Sequence, residues 1–159
     1  MGLVDRKPSG LVKHLLRAPI LLYRAGLGRV VGHRFLYLAH TGRRSGLRRE
    51  VVLEVVRYYP DTPEVVVVAG WGNRADWYRN LRAAPALEVR VGVYRWIAPN
   101  HRYLSSEEVQ AVLERYQRTH PRTWRRLVPV LGMAVDPDDP RWNELASSLP
   151  AVAFTPRGR

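Results

Sequence analysis

Phe35-Leu36-Tyr37-Leu38-Ala39-His40-Thr41-Gly42-Arg43-Arg44-Ser45-Gly46-Leu47-Arg48-Arg49 passes from an aromatic and aliphatic run into a turn crowded with arginine and glycine. The turn, Thr41 to Arg49, holds four arginines and two glycines in nine residues. Arg34 to His40 reads as a short strand, because these residue types suit a pleated, half-buried surface. Beyond the turn, Arg49 to Tyr59 is a second strand, Val-rich with Glu50, Glu54 and Arg57 interspersed. Glycine turns the backbone sharply and lets a ligand approach the main chain. Arginine offers a planar, permanently charged fork that matches phosphate and carboxylate. The connection between the strands is therefore a candidate cradle for a large anion; the competing reading is a solvated basic loop.

Working outward, Pro60-Asp61-Thr62-Pro63 is turn chemistry. Glu64 to Ala69 is a third strand, with four successive β-branched valines from Val65 to Val68, and is expected to be buried on both faces. After Gly70-Trp71-Gly72-Asn73 comes a short helix, with Asp76 as its expected N-cap and Trp77 and Leu81 on one face. Leu87 to Val91 and Tyr94 to Ala98 flank Gly92-Val93 as a hairpin. Ser105-Ser106-Glu107-Glu108 is a capping box opening a helix that ends at His120-Pro121. Pro121 starts another helix, to about Leu131, and Gly132 breaks it. Asp136 to Pro140 is a loop, and Ala151 to Thr155 a closing strand.

Residues 10–26 form an amphipathic helix. Leu11, Val12, Leu15, Leu16, Leu22 and Tyr23 make the apolar side, Lys13, Arg17 and Arg24 recur on the other, and Pro19 kinks or splits it. Such a helix packs on a core, and its basic side also suits an anionic membrane surface. The expected fold class is α+β, mainly β: a small barrel of about six mostly antiparallel strands with packed helices. We expect one domain over residues 1–159. Residues 1–33 are the N-terminal helix region, 34–104 the barrel core, and 105–159 helices and the closing strand.

The chain of 159 residues is long enough for one ordinary core, and its 46% apolar content is that of a globular protein. It has no cysteine, which excludes disulfides, thiol chemistry and cysteine-type metal sites. The net charge of +12, from 26 basic and 14 acidic residues, favours anionic partners, and only Lys7 and Lys13 are lysines. No run of about 18 apolar residues and no signal-peptide pattern is present, which reads as cytoplasmic. The five histidines, at 14, 33, 40, 101 and 120, share no metal-ligand spacing, so no metal site is expected. No Walker loop, dinucleotide fingerprint or nucleophile elbow occurs. A basic nucleic-acid binder is the non-enzymatic alternative, yet the arginines are scattered and no recognition signature is visible.

Two elements reinforce one another. Ala69-Gly70-Trp71-Gly72, just past a buried strand, lets a flat ring approach the backbone, and Trp77 and Tyr78 add stacking surface with Asn80 beside them. Phe35 to Arg49, Val65 to Gly72, Asp76 to Pro85 and Val89 to Gly92 together resemble the deazaflavin-dependent nitroreductases, also called the F-420-dependent quinone reductase family. These are split β-barrel proteins related in fold to FMN-binding proteins of the pyridoxamine-phosphate-oxidase type. The resemblance covers about residues 34–119 and, more loosely, the final strand. It implies that Arg43, Arg44 and Ser45, with Gly46 in the same turn, hold the phosphate or oligoglutamate tail of coenzyme F-420. It also implies that Arg49 and the backbone of Val51, Val52 and Leu53 border tail and ring. Ala69, Gly70, Trp71 and Gly72 would lie along the deazaflavin, and Trp77, Tyr78 and Asn80 would close the site. The implied activity is hydride transfer from reduced F-420 to a quinone, enone or nitroaromatic, with Tyr78 as the candidate proton donor; FMN is the alternative cofactor. Relatives of this fold often form homodimers.

Overall fold

The computed structural model describes residues 18–70, 72–130 and 139–158 of the chain. Residues 10–17 of the helix expected over 10–26, the break at Gly132 and most of the loop from Asp136 lie outside them. Among the described residues seven strands form one curled antiparallel sheet: β1 (Phe35–Thr41), β2 (Arg48–Tyr59), β3 (Glu64–Val68), β4 (Glu88–Val91), β5 (Tyr94–Ile97), β6 (Asn100–Tyr103) and β7 (Ala151–Thr155). Their order is β5-β4-β1-β2-β3-β7-β6. This is the α+β split-barrel architecture expected from the sequence, with one strand more. Asn100 to Tyr103 carries no apolar alternation; it is a strand because it pairs with β7, some fifty residues away in the chain.

β2 makes the curl possible. Its first half pairs with β1, from Phe35 opposite Glu54 to Thr41 opposite Arg48. Its second half pairs with β3, and the register shifts between Val55 and Arg57. Such a bulge bends the strand and raises its twist, so one continuous strand serves both halves of the barrel.

Side-chain alternation then sorts the residues. The inner face buries Leu36 and Leu38 of β1, Val65 and Val67 of β3, Val89 and Val91 of β4, and Val152 and Phe154 of β7. The outer face of β3 and β7 buries Val66, Val68, Ala151 and Ala153 against helices. β3 is thus covered on both sides, as its uniform Val run requires. Truncating one of these fully buried large side chains, such as Leu38, would cost about 2–5 kcal/mol.

Among the described residues six helices flank the sheet: α1 (Ala18–Arg24), α2 (Gly28–Val31), α3 (Asp76–Ala83), α4 (Ser106–Thr119), α5 (Pro121–Val130) and α6 (Trp142–Ser148). The Ser105 hydroxyl accepts from the Glu108 N–H, and the Glu108 carboxylate accepts from the Ser105 N–H, so the capping box forms as expected. α4 lays Val109, Leu113 and Tyr116 on the outer core, joined by Trp124 of α5 and Trp142 of α6. α6 was not anticipated; Trp142 and Ala146, four apart, carry its buried side. Asp76 is not the N-cap of α3: Ala75 holds that position without a side-chain cap, and Asp76 is the first helical residue.

On the outer face of β1, Tyr23 of α1 packs against Tyr37 and Ala39. Beside them Glu88 is buried and accepts from Arg48 (2.7 Å), Arg90 (2.5 Å) and Arg95 (2.6 Å). Burial alone would raise its pKa, but the three guanidinium groups outweigh burial and hold it at about 2.

Candidate functional site

The Arg-Gly turn is built before any ligand arrives. The Gly42 N–H donates to the Leu47 carbonyl and the Gly46 N–H to the Gly42 carbonyl, each at 2.8 Å. Gly46 sits at φ +67°, a left-handed conformation that side chains resist. A Cβ on Gly42 would lie 2.6 Å from the Ser45 Oγ, so this glycine lets the hydroxyl fold back over the turn. That oxygen accepts from the Leu47 N–H (3.3 Å) and from Arg49 Nη2 (3.5 Å). With its lone pairs facing these donors, the Ser45 proton is left to donate outward, toward an oxyanion.

The four arginines of the turn divide into two kinds. Arg43 is engaged by the protein: its N–H and Nη1 both donate to Asn80 Oδ1, at 3.1 and 2.9 Å, and Nη2 pairs with Asp76 at 3.2 Å. Arg48 points to the outer face and pairs with Glu88. Arg44 and Arg49 are exposed, and among the described residues neither has a carboxylate partner. The available positive charge of the turn therefore lies on Arg44 and Arg49, with the Ser45 hydroxyl between them in sequence.

Asn80, 5% exposed, is the hub that ties this turn to α3. A guanidinium has only donors, so the Asn80 carbonyl oxygen must face Arg43 and its amide nitrogen must face His40. That nitrogen donates to His40 Nδ1 at 3.2 Å, which requires a neutral ring unprotonated at Nδ1. His40 is buried, and burial first of all drives its pKa down to about 4. The backbone contact at Thr41 and the charge of Asp76 oppose that shift, while Arg49 adds to it. His40, Asn80 and Arg43 thus form one polar staple, built from residues up to 40 positions apart that no local pattern links.

The remaining expected residues fall on two faces. Val51 and Leu53 share the inner face of β2 with Arg49 and pack on the inner core, whereas Val52 points outward to the Tyr23–Tyr37 cluster. Ala69 is fully buried and its N–H donates to Pro150 O, so only its backbone neighbours can meet a ligand. Gly70 is half-exposed, and Gly72 adopts φ +62° at the start of a single 3-10 turn, Gly72–Arg74. Trp71 lies outside the described residues. Trp77 is 8% exposed and anchors α3 in the inner core. Tyr78 is half-exposed, and its hydroxyl makes no hydrogen bond with the described chain.

β6 adds residues that sequence reasoning passed over. The Tyr103 ring meets Tyr78 edge-on at 5.7 Å, and His101 meets Tyr103 edge-on at 5.5 Å. Arg82 of α3 lies over the Tyr103 ring at 4.8 Å. Burial raises the Tyr103 pKa and lowers that of His101, so both are neutral near pH 7. Their alternation, one residue apart, was the only signal available. Among the described residues no group of three or more His, Cys, Asp or Glu side chains is arranged to hold a metal ion.

The site thus combines a preformed turn with two available arginines, glycine-lined backbone and an aromatic α3 wall. No curated protein matches the sequence. Among solved structures, an F420-H2-dependent reductase, FDR-A, superposes with a TM-score of 0.50 at 19% identity, over 77% of this chain and 95% of that one. A pyridoxamine 5′-phosphate oxidase-related, FMN-binding protein from Nostoc punctiforme has a TM-score of 0.49 at 17% identity, over 96% of this chain and 82% of the other. The family model of F420H(2)-dependent quinone reductase matches residues 16–130, which include the turn, the glycine segment and α3. The chain belongs to the F420H(2)-dependent quinone reductase family, and it is an oxidoreductase that works with coenzyme F-420.

Proposed function

We propose that the chain passes hydride from reduced F-420 to a quinone, with Arg44, Ser45 and Arg49 as the anchor of the cofactor tail. The observation that carries this assignment is the division of the turn: Arg43 is spent on Asn80 and Asp76, whereas Arg44 and Arg49 have no carboxylate partner among the described residues. A tail bearing a phosphodiester and several carboxylates needs such fixed cations. The fit is chemical as well as electrostatic, since a Ser45 proton is available beside them.

Reduced F-420 supplies the hydride, and the protein supplies binding, orientation and proton management. Gly70 and Gly72 leave the backbone open to a planar ring, and Val51 and Leu53 give it an apolar floor on the inner face of β2. Asn80 acts through Arg43 as a positioning residue. A quinone that takes up one hydride needs one proton to become the hydroquinone. The unengaged Tyr78 hydroxyl is the group we assign to donate it, with water restoring the phenol. Enones and nitroaromatics are further acceptors for the same geometry.

A quinone resides in lipid, which supports a cytoplasmic enzyme working at the inner membrane face, with residues 10–26 as the first contact. No helix of the described residues is long and apolar enough to cross a membrane. β5 and β6 end the strand order and, among the described residues, each pairs along one edge only, which supports a homodimer, and sedimentation at micromolar concentration tests it. The central test is a fluorescence titration with purified F-420 followed by quinone reduction under anaerobic conditions. Failure to bind F-420, or retention of FMN when both are offered, would refute the assignment.

A further inference from the structure

A second basic cleft lies at the opposite end of β1 from the Arg-Gly turn. It opens between the α1–α2 connection and the β4–β5 hairpin, encloses about 520 Å³, and is lined by Tyr23, Arg29, Arg90, Val93, Tyr94 and Arg95 among others. Val91, next to that hairpin, pairs with Leu36 at the start of β1, whereas the turn begins at Gly42. The hairpin end of the cleft and the turn lie about 20 Å apart along β1, although Arg90 and Arg95 reach back to Glu88, which Arg48 of the turn also meets. The cleft opens on the outer face of the sheet beside Tyr23, whereas Arg49 of the anchor lies on the inner face of β2 with Val51 and Leu53.

Its cations are held for use. Glu88 takes the Nε of both Arg90 and Arg95, fixing those side chains. Arg90 gives Nη1 to the Tyr23 carbonyl at 3.3 Å and keeps Nη2; both terminal nitrogens of Arg95 have no partner among the described residues. Arg29, exposed on α2, has no ion-pair or hydrogen-bond partner there either. Glu88 thus faces Arg48, Arg90 and Arg95 together, and with Arg29, unpaired among the described residues, the surplus positive charge borders the cleft.

The rim is apolar and open to solvent. Val30 is 82% exposed, Val93 64%, Leu27 46% and Tyr94 43%. Val93 and Tyr94 line the cleft, and Leu27 and Val30 are chain neighbours of its lining residues Gly26, Gly28 and Arg29, so exposed aliphatic surface adjoins the cationic cleft. A free phosphate would need the arginines and not the rim. An acidic protein would need the arginines over a flat area, not a cleft. The pairing of cationic cleft and aliphatic rim fits an amphiphile with an anionic head.

We propose that this cleft seats the phosphate of an anionic phospholipid headgroup, with Leu27, Val30 and Val93 reaching into the acyl boundary. The proposal deepens the membrane-surface reading of residues 10–26 but rests on residues 27–30 and 90–95, so the two are separable. It also gives the enzyme a fixed orientation on the bilayer.

The test uses the full chain and sedimentation with vesicles of phosphatidylcholine alone or with 30% phosphatidylglycerol. Wild type is expected to bind only the anionic vesicles. Arg29→Glu changes the local charge by two and should lower partitioning roughly 25-fold, about fivefold for each unit. Val30→Ser with Val93→Ser should weaken it independently, while F-420 affinity and melting temperature stay at wild-type values. In a parallel variant, Lys13→Glu with Arg17→Glu probes the N-terminal segment. Loss of vesicle binding in that variant alone, with both cleft variants unaffected, would overturn the headgroup site and leave the helix reading standing. Competition by glycerol phosphate, without any vesicle binding by wild type, would overturn it in favour of a soluble phosphate ester. Binding to an acidic polypeptide but to neither vesicle would overturn it in favour of a protein partner.

Discussion

Replacing Arg44 and Arg49 together by alanine separates the anchor from its scaffold. Each side chain is free to make one or two charge-assisted contacts, worth about 1.5–3 kcal/mol apiece when fully formed. Both residues are exposed in the unliganded protein, so screening places the expected loss at the lower end. A combined loss of about 2–4 kcal/mol raises the F-420 dissociation constant by about 30- to 700-fold. The fold should hardly notice, because no described carboxylate depends on either arginine. Arg43→Ala should behave in the opposite way. It removes the Nη1 bond to Asn80 and the Asp76 pair but keeps the main-chain N–H bond to Asn80. That costs about 1 kcal/mol of stability, or a melting shift of about 2–4 °C, with a small effect on affinity. Fluorescence titration at low and moderate salt, beside thermal unfolding, reads both quantities. If the double variant kept its affinity within threefold, or if Arg43→Ala weakened binding more than the double variant did, the division of the turn into anchor and scaffold would be wrong.

Three further outcomes follow from the geometry. His40 has a folded pKa of about 4 against an ordinary 6.5, so the unfolded chain takes up the proton first as pH falls. The stability it confers is complete above pH 6.5 and declines toward pH 4; by pH 5 the loss is about 2 kcal/mol, read as a lower urea midpoint that His40→Gln should flatten. Glu88, held at about 2, loses its contribution only in the lower window between 4.5 and 2, so the two groups are distinguishable in a pH series. Gly42→Ala places a methyl 2.6 Å from the Ser45 Oγ and must push that hydroxyl off Leu47 and Arg49; F-420 affinity should fall about tenfold, and an unchanged affinity would remove Ser45 from the anchor. Tyr78→Phe should lower kcat for quinone reduction by about 100-fold while leaving F-420 binding intact; an unchanged kcat would transfer the proton to another donor.

Much of this was legible in the chain because local chemistry and tertiary structure agree. The hairpin of β1 and β2, the capping box at Ser105 and the doubly buried β3 each announce themselves through residue type and period. β6 did not, because Asn100 to Tyr103 takes its strand geometry from a partner distant in sequence. α6 was hidden by brevity: Trp142 and Ala146 supply just one turn of periodicity. In the site, the turn's composition pointed to an anion, but composition treats four arginines alike. What sets them apart is Asn80, thirty-seven residues downstream, and the alternation that sends Arg48 to the outer face. Asp76 had the right residue type for a cap and one position too late to serve as one.

The stapled turn also has a kinetic meaning. Because His40, Asn80 and Arg43 fix its shape through the fold, a ligand arriving there has little left to order. Association should then be a single bimolecular step with no slow rearrangement behind it. Its rate would be set by the field of a chain carrying +12, and hence fall steeply with added salt. Dissociation, governed by two short-range arginine contacts, should depend on salt far less. An enzyme that must exchange an oxidised carrier for a reduced one at every turnover gains speed from a site already in place.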